Sequence, residues 1–459
     1  MAVESKTRDQ KLVLAIAILA SFVTFLVGSV INVALPAIAT EFDAGISVQQ
    51  WVVDAYLVTL GTLILLAGSL SDAFGRMLVL RGGLIGFAVT SIAIALAPTA
   101  EILIVVRGLQ GVAGALLVPS SLALIISSFR GVAQARAIGQ WTGWTSAAFL
   151  AGPLLGGLFV DFLSWRLVFA INIIPIAVTL FLMVRLGQKN ERPAGSGIDW
   201  WGAVLGIIGL GGPVFALIEQ ANYGWTSPAI YLPFTIGLVS LVAFVLRQRT
   251  VKHPMLPLGL FTVRNFWVGN IATALVYGAL SLGGFLVVVY LQEVGGFSAT
   301  LAGLAFLPIT LGNIALSSWF GGLSGKYGPR LFMGFGPIVG GLGYLLMLTM
   351  GEQVDYWTQV LPGVLLFAVG LSATVAPLTA AILGSIPENQ SGIGSAINNA
   401  VSRIAGLIAI ALLGVVIGSE LTVESFHRGL LVTAALLIAG GIVSWIGIRN
   451  PEKVPEPVA

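Results

Sequence analysis

Long apolar runs, separated by short charged or turn-rich breaks, fill this sequence from near its start to near its end. A helix needs about 20 predominantly apolar residues to cross the hydrocarbon core of a bilayer. The runs that reach this length predict fourteen transmembrane helices, over 12–36, 50–70, 78–97, 102–126, 137–160, 166–185, 201–219, 228–246, 266–291, 299–321, 331–350, 360–383, 396–418 and 429–448. The predicted fold class is therefore an all-α polytopic membrane protein embedded in the lipid bilayer.

The composition excludes most other classes. Only 9% of the residues are charged and 57% are hydrophobic, whereas soluble domains carry about 25% charged residues. The chain has no cysteine and only two histidines, His253 and His427, which excludes disulfides, thiolate metal sites and His-rich metal clusters. We find no phosphate-binding GxxxxGK[ST] motif and no nucleophile–base arrangement. We expect no enzyme activity, no cofactor and no metal, and the net charge of +3 does not indicate a nucleic-acid partner.

Basic residues give the orientation. With the N-terminus inside, 18 of the 22 lysines and arginines fall in cytoplasmic segments, and only Arg166 and Arg428 fall at outer ends. The remaining two, Arg107 and Arg403, lie inside spans. Cytoplasmic loops of membrane proteins carry an excess of Lys and Arg. This asymmetry predicts an even number of spans with both termini in the cytoplasm.

An internal repeat relates the first half of the chain to the second half. The loop GSLSDAFGRML at 68–78 matches GGLSGKYGPRL at 321–331. Five positions are identical: Gly68/Gly321, Leu70/Leu323, Ser71/Ser324, Gly75/Gly328 and Leu78/Leu331. Duplicated helix bundles are common in secondary transporters. Eight spans separate the copies, so we expect an N-terminal six-helix bundle over 1–190, a linker with two inserted helices over 191–264, and a C-terminal six-helix bundle over 265–459.

Four segments resemble the major facilitator superfamily, and specifically its fourteen-helix drug:proton antiporters of the multidrug efflux type. They are GSLSDAFGRM at 68–77, RGLQGVAG at 107–114, Gly143 with AGPLLGG at 151–157, and the pair NVALP at 32–36 and WVVDAY at 51–56. The resemblance implies two rocking bundles that alternate access, located in the cytoplasmic (inner) membrane of a bacterium. It also implies export of a small-molecule substrate in exchange for protons by a protein that works as a monomer.

The same resemblance suggests roles for two motifs. Asp72, Gly75 and Arg76 correspond to a cytoplasmic latch between the bundles, although a solvated turn is the simpler alternative. The antiporter motif of the fifth span maps to Gly143, Gly152, Pro153, Gly156 and Gly157. Small residues there allow close helix approach, and a proline bends a helix. The role of this motif is conformational rather than chemical, and we expect Gly111 and Gly152 to tolerate no larger side chain.

Proton coupling is assigned to Asp54 and Arg107. Many relatives carry an acid on the first span where this chain has Val27, so Asp54 is the remaining intramembrane carboxylate. It lies three residues past Trp51, which predicts a shallow position about 4.5 Å into the helix and leaves open a merely hydrated, interfacial Asp. Arg107 shares a helix face with Gln110, Gly111 and Gly114. It is expected either to favour loss of the proton from Asp54 or to bond structurally to carbonyls of the first helix.

Six residues are predicted to line the substrate cavity: Asn32, Gln110, Trp144, Tyr277, Asn313 and Arg403. Ordinary interhelical packing is the alternative for each. Arg403 lies deep in its span, and together with Arg107 it gives the interior more positive than negative charge, which favours neutral or anionic substrates.

The leading functional hypothesis is therefore a proton-coupled exporter of amphipathic, drug-like compounds. The alternative is an exporter of a specific metabolite or lipid-like molecule with the same fold, and a third class is a non-transporting membrane sensor. The spacing of the repeat further predicts that the two inserted helices tolerate substitution more freely than the rest.

Overall fold

The computed structural model describes residues 8–129, 131–187, 197–252, 254–387, 390–418 and 420–450. Within the helices, the side chains of residues 69, 72, 131, 132, 135, 136, 138, 139, 142, 143, 146, 147, 149, 150, 391 and 392 lie outside this description. All regular secondary structure in the described ranges is helical. The α-helices are α1 Arg8–Glu41, α2 Ile46–Phe74, α3 Arg76–Ala95, α4 Ala100–Ala115, α5 Leu117–Ser128, α6 Gly131–Phe162, α7 Leu167–Ala170, α8 Ile173–Leu186, α9 Trp200–Tyr223, α10 Pro228–Thr250, α11 Arg264–Glu293, α12 Ala299–Leu304, α13 Leu307–Tyr327, α14 Pro329–Leu346, α15 Leu361–Leu383, α16 Ser391–Ala411, α17 Leu413–Ile417 and α18 Val423–Gly447.

Thirteen helical segments among the described residues are long and apolar enough to cross a membrane. Several of them join two consecutive helices, as α4 and α5 do over Ala100–Ser128, and α12 and α13 over Ala299–Tyr327. Helix α6 is 32 residues long, and its stretch Ala151–Phe162, which follows the segment with side chains outside the description, is apolar. These helices confirm the prediction of an all-α polytopic membrane protein.

Two groups of helices pack mainly among themselves. In the first group α1 packs against α6, α5 and α8, and α2 packs against α4. In the second group α14 packs against α15 and α18, and α11 against α18 and α16. We call α1–α8 the first bundle and α11–α18 the second bundle. Because lipid tails are as apolar as leucine, close packing rather than water exclusion holds such helices together.

The two copies of the sequence repeat adopt the same local geometry. Gly75 ends α2 with φ 94°, and Gly328 ends α13 with φ 88°. The Gly75 N–H donates to Ser71 O at 3.0 Å, and the Gly328 N–H donates to Ser324 O at 2.8 Å. Positive φ favours glycine because the residue has no Cβ. The repeated Gly and Ser therefore build the same tight turn between consecutive helices in each bundle.

Consecutive long helices run in opposite directions, so the molecule has two distinct sides. We call the side on which α1 begins and α18 ends the terminal side, and the other the distal side. The turns at Gly75 and Gly328 lie on the terminal side. The starts of α2 and α12 and the end of α6 lie on the distal side.

The two inserted helices, α9 and α10, pack against each other, but only α9 also contacts α2, α16 and α17 to an appreciable extent. A Cβ added to Gly206 of α9 would lie 2.6 Å from Cγ2 of Thr62. Trp51 Nε1 donates to Glu219 Oε1 at 2.7 Å. By contrast, Val239 and Val242 of α10 are 69% and 60% exposed. The packing of α9 therefore conflicts with the prediction that both inserted helices tolerate substitution. The prediction is kept for α10.

The carboxylate of Asp199 ties the start of α9 to the end of α10. It accepts hydrogen bonds from the backbone N–H of Gly202 at 2.9 Å, from Arg247 Nε at 2.6 Å and from Gln248 Nε2 at 3.0 Å. Burial raises the pKa of Asp199, but the bonds from Arg247, Gly202 and Gln248 outweigh it and hold that pKa below its ordinary value. Gln248 Oε1 in turn accepts from the backbone N–H of Leu256 at 3.1 Å, which anchors the chain leading to α11.

Candidate functional site

Asp54 is fully buried in α2. The helix begins at Ile46, so Asp54 lies about 12 Å along it, deeper than the expected value of about 4.5 Å, and the alternative of a hydrated, interfacial Asp is wrong. Its side chain is 0% exposed. Neither carboxylate oxygen has a hydrogen-bond partner among the described residues. Such burial is tolerable for a neutral acid group and very costly for a carboxylate.

The neighbours of Asp54 along α2 reveal which way it faces. Gln50, one turn earlier, donates from Nε2 to the Ile410 carbonyl of α16 at 2.6 Å. A Cβ added to Gly61, two turns later, would lie 3.3 Å from Cγ1 of Ile404. Residues spaced by four and seven share one helix face. Asp54 therefore lies on the face that α2 presents to the second bundle, beside the edge that packs against α9.

Arg107 lies on the other side of α2. Its Nε donates to the Val52 carbonyl at 2.8 Å, and its guanidinium carbon lies 4.3 Å from the centre of the Tyr56 ring. On a helix, Tyr56 projects about 200° away from Asp54. Asp54 and Arg107 form no ion pair. In this conformation no direct contact lets Arg107 favour loss of the proton from Asp54 in the way that was expected. The backbone carbonyl that Arg107 bonds belongs to α2 rather than to α1.

Gln110 continues the Arg107 network inside the first bundle. It accepts from Arg107 Nη1 at 2.7 Å and donates from Nε2 to Ser91 Oγ at 2.9 Å. Both Arg107 and Gln110 are 0% exposed. The prediction that Gln110 lines a substrate cavity is therefore wrong. Arg107, Gln110 and Ser91 connect α2, α4 and α3 within one bundle.

Helix α6 contacts both bundles through its small residues. A Cβ on Gly152 would collide with Ser29 Oγ of α1, and one on Gly156 would lie 2.6 Å from Val30. On the adjacent face, Gly157 packs against the backbone of Thr300, and a Cβ on Gly303 would lie 2.5 Å from the Pro153 carbonyl. Pro153 lies within the helix. Gly143 is also in α6, but its surroundings lie outside the described residues.

The distal side is closed by hydrogen bonds between the bundles. At the end of α6, the Asp161 carboxylate accepts from the backbone N–H groups of Ala299 and Thr300 at 2.9 and 2.8 Å. Gln49 Nε2 donates to Glu293 Oε1 at 2.7 Å. Sequence reasoning missed Asp161, Gln49 and Gln50. The polar pair Gln49–Gln50 directly before an apolar run was the available signal.

Arg403 of α16 reaches the first bundle near the middle of α1. Its guanidinium carbon lies 5.4 Å from the centre of the Phe25 ring. A Cβ on Gly28 would lie 3.8 Å from Arg403 Nη1, and one on Gly61 would lie 3.6 Å from Arg403 Cβ. Arg403 is half-buried. It therefore lies between the bundles, as a cavity-lining residue must.

The other predicted cavity residues divide into two groups. Asn32, Tyr277 and Asn313 are half-buried, and Asn313 Oδ1 has no partner among the described residues. Trp144 is 59% exposed. It lies five helical turns from the exposed Phe162, on the same side of α6, and its place in the substrate cavity stays a prediction.

The structure describes only part of the latch motif. Asp72 lies in α2, but its side chain lies outside the described residues. Gly75 makes the turn described above, and Arg76 begins α3. Arg76 Nε is buried without a hydrogen-bond partner in the described part of the chain. The expected contact of this motif with the other bundle is therefore not among the described contacts.

Comparison with known proteins identifies relatives over most of the chain. The sequence is 33% identical over 424 residues to the multidrug resistance protein Stp of Mycobacterium tuberculosis, covering 90% of this chain and 77% of that protein. It is 31% identical to the methylenomycin A resistance protein of Bacillus subtilis, covering 85% and 84%. It is also 31% identical to the cephamycin export protein CmcT of Amycolatopsis lactamdurans, covering 90% and 86%.

Solved structures share the fold at low sequence identity. A POT family transporter in complex with 5-aminolevulinic acid superposes with a TM-score of 0.71 at 13% identity, covering 96% of each chain. The POT family transporter PepTSo gives a TM-score of 0.68 at 16% identity, covering 96% and 97%. The family model described as Major Facilitator Superfamily matches residues 17–410. With repeated turns, two helix bundles and this match over most of its length, the chain belongs to the Major Facilitator Superfamily.

Proposed function

We propose that the chain is a proton-coupled exporter of amphipathic, drug-like compounds that works by alternating access. The relatives support the export of antibiotics and drugs, since their names describe resistance or export. The observation that carries the coupling proposal is the burial of Asp54 between the bundles with neither oxygen hydrogen-bonded. A carboxyl group in that position must be neutral when the bundles close over it and needs water to ionise.

The membrane topology belongs to the same proposal. We propose that α6 also crosses the membrane, for fourteen spans in all, and that the terminal side is cytoplasmic. The distribution of lysine and arginine supports this orientation. The distal side then faces outward across the inner membrane of a bacterium. Reporter fusions after Arg192 and after Arg264 are both expected to report a cytoplasmic location, and an external signal at either would contradict the model.

In this orientation the structure corresponds to a state that is closed toward the outside. The contacts of Asp161 with α12 and of Gln49 with Glu293 form the closure. We propose that residues 1–190 and 265–459 rock against each other as two bodies, with 191–264 as a linker that includes α9 and α10. Opening the distal side separates α2 from α16, which exposes Asp54 to external water and protons.

One cycle follows from this geometry. An external proton neutralises Asp54, which permits the distal closure that buries it. Release of the proton toward the cytoplasm and binding of the solute then favour the return of the loaded protein to the outward-open state. The proposal treats the monomer as the functional unit because both bundles that enclose Asp54 belong to one chain.

Purified protein in proteoliposomes with an imposed pH gradient tests the proposed function. Accumulation of several unrelated dyes and biocides against their gradients, dependent on the pH gradient, is expected. Loss of uphill transport when the gradient is collapsed is the required control. Transport that does not respond to the pH gradient for any compound in the panel would contradict proton coupling.

A second candidate is the export of one specific metabolite or lipid-like molecule. It is favoured by relatives whose names refer to one compound, such as methylenomycin A or cephamycin. The same compound panel separates the two hypotheses. A multidrug exporter protects a sensitive host from several unrelated compounds, whereas a specific exporter protects it from one structural class.

A further inference from the structure

We propose that Arg403 binds an anionic group of the transported solute, so that the chain exports amphipathic compounds bearing a carboxylate. This inference rests on the proposed export function and assigns a substrate class to it. Three observations carry it: the position of Arg403 between the bundles, the absence of a counter-ion among the described residues, and the room for a Cβ at Gly28 beside its guanidinium.

Arg403 reaches from one bundle to the other. It belongs to α16 of the second bundle, yet its guanidinium lies against Phe25 and Gly28 of α1 in the first. The Phe25 ring beside the guanidinium brings an apolar and a charged group together, which suits an amphipathic ligand.

Among the described residues, no anion pairs with the guanidinium. The two ion pairs in this part of the chain join Arg166 to Glu41 and Arg247 to Asp199. No described residue forms a hydrogen bond with the Arg403 side chain. Arg403 is also the only charged residue of α16. When Asp54 is neutral, the interface between the bundles therefore carries an uncompensated positive charge at this position.

Arg107 and Arg403 differ in burial and in their hydrogen-bond partners. Arg107 is fully buried, bonds the Val52 carbonyl and Gln110, and stacks on Tyr56. Arg403 is half-buried, and none of its donors is bonded to a described residue. Charged groups at membrane depth normally face a partner or a water-filled cavity. The planar guanidinium fork fits a carboxylate with two parallel hydrogen bonds, so a carboxylate-bearing solute supplies the partner that the protein does not.

A carboxylate substrate has an energetic consequence. Moving an anion outward and a proton inward both transfer positive charge into the cell, so the membrane potential and the pH gradient drive the exchange together. For a cationic substrate the two charge movements oppose each other. The response of transport to an imposed potential therefore reports the charge of the transported form.

Three fluorescent probes that differ only in charge provide the test: dansyl-β-alanine as the anion, dansyl-β-alaninamide as the neutral form and N-dansyl-1,3-diaminopropane as the cation. Binding to purified protein and transport in proteoliposomes are measured for each. Arg403→Gln is expected to weaken binding of dansyl-β-alanine by about 10- to 100-fold, the effect of losing a charge-assisted hydrogen-bonded pair. Binding of the amide should change little, and Arg403→Lys should retain part of the anion binding. Arg428→Gln, which alters an exposed arginine of α18, is the matched control.

A second pair of variants tests the same site without removing Arg403. Apart from the backbone of α1 and the neighbours of Gly28 in the chain, Arg403 Nη1 at 3.8 Å is the one described atom within 4 Å of a Cβ at Gly28. Gly28→Asp therefore places a carboxylate beside the guanidinium and should compete with the anionic probe. Gly28→Asn has nearly the same shape without the charge and should leave binding of that probe largely intact.

The outcomes separate this inference from the proposed function. Equal losses for all three probes in Arg403→Gln, or equal effects of Gly28→Asp and Gly28→Asn, would overturn the assignment of Arg403. Wild-type transport of the neutral and cationic probes but not of the anion would also overturn it, while leaving proton-coupled export in place. Charge-selective binding that depends on Arg403, with no response of transport to a pH gradient, would support the inference and reject proton coupling.

Discussion

Asp54 belongs to one face of α2, and Arg107 of α4 packs against the opposite face of the same helix. Arg107 is held by Val52 O, Gln110 and the Tyr56 ring on the face that packs within the first bundle. Asp54 lies on the face that meets α16, between Gln50 and Gly61. Arg107 therefore holds helices of the first bundle together, whereas Asp54 lies on the face of α2 that meets the second bundle.

Replacing Asp54 by Asn should abolish uphill efflux. The amide has the shape of the protonated acid and can neither take up nor release a proton, so the bundles can close over it without coupling to the gradient. Asp54→Glu should retain part of the activity with a shifted pH optimum. The measurement is drug accumulation in proteoliposomes with and without a pH gradient.

Asp43→Asn, which changes an exposed loop carboxyl group, is the control for the Asp54 variants. Downhill exchange by Asp54→Asn should persist because the solute site is intact. Wild-type uphill pumping by Asp54→Asn would exclude Asp54 as the coupling site. Coupling would then require another acid at a distal helix end, such as Glu219 or Glu293.

Replacing Arg107 by Gln should mainly reduce stability. The change removes the donors that satisfy the buried Val52 carbonyl and the Gln110 oxygen, at a cost of about 1–3 kcal/mol for each acceptor left unpaired. Thermal unfolding in detergent measures this loss, with Arg81→Gln at an exposed position of α3 as the control. Because Arg107 does not touch Asp54, the pH profile of any remaining transport should match that of the wild type, and a displaced profile would argue for direct coupling between the two.

Glycine-to-alanine substitutions should distinguish the destabilisation caused by overpacking from the stabilisation that follows from higher helix propensity. Gly111→Ala and Gly152→Ala place a methyl group against the Tyr56 carbonyl and Ser29, respectively, and overpacking of this kind costs about 1–3 kcal/mol. Gly82→Ala in α3 meets nothing within 4 Å and should be neutral or slightly stabilising. The yield of folded monomer in size-exclusion chromatography and the unfolding temperature distinguish the variants. Full transport by Gly152→Leu at normal expression would refute the packing explanation.

The two inserted helices should differ in their tolerance to mutation. Gly206→Leu in α9 drives a side chain into Thr62 of α2, near the face that carries Asp54, and should reduce transport strongly. Val239→Ala and Val242→Ala on the exposed face of α10 should leave it near the wild-type level. Transport rates normalised to folded protein provide the comparison. Similar effects in both helices would mean that α9 has no special relation to α2.

Asp199 should stabilise the inserted pair in a pH-dependent way. Its folded-state pKa is lowered, so its contribution is complete above the ordinary pKa near 4 and is lost as pH falls toward the folded value. Asp199→Asn should therefore lower the unfolding temperature at pH 7, and the difference from wild type should shrink below about pH 4. An unchanged difference across that interval would indicate that packing, rather than the charge, accounts for the effect.

The local features of this protein were predictable from its sequence. The apolar runs, their basic flanks and the repeated loop depend on neighbouring residues only, because a membrane span and a positive-φ glycine turn are local requirements. The membrane architecture and the paired turns at Gly75 and Gly328 followed from those signals. The close packing of Gly152 and Gly156 also agreed with the expectation from small residues at helix contacts.

The tertiary structure decided which way the functional side chains face. Helix α2 begins at Ile46 rather than near residue 50, which moves Asp54 from the boundary into the interior. The partners of Arg107 and the burial of Gln110 depend on how helices pack around one another. Hydropathy places a residue along the membrane normal, but the rotation of each helix follows from contacts with segments far away in the chain. For that reason the sequence alone named Asp54 and Arg403, and only the packing of the two bundles placed both residues between them.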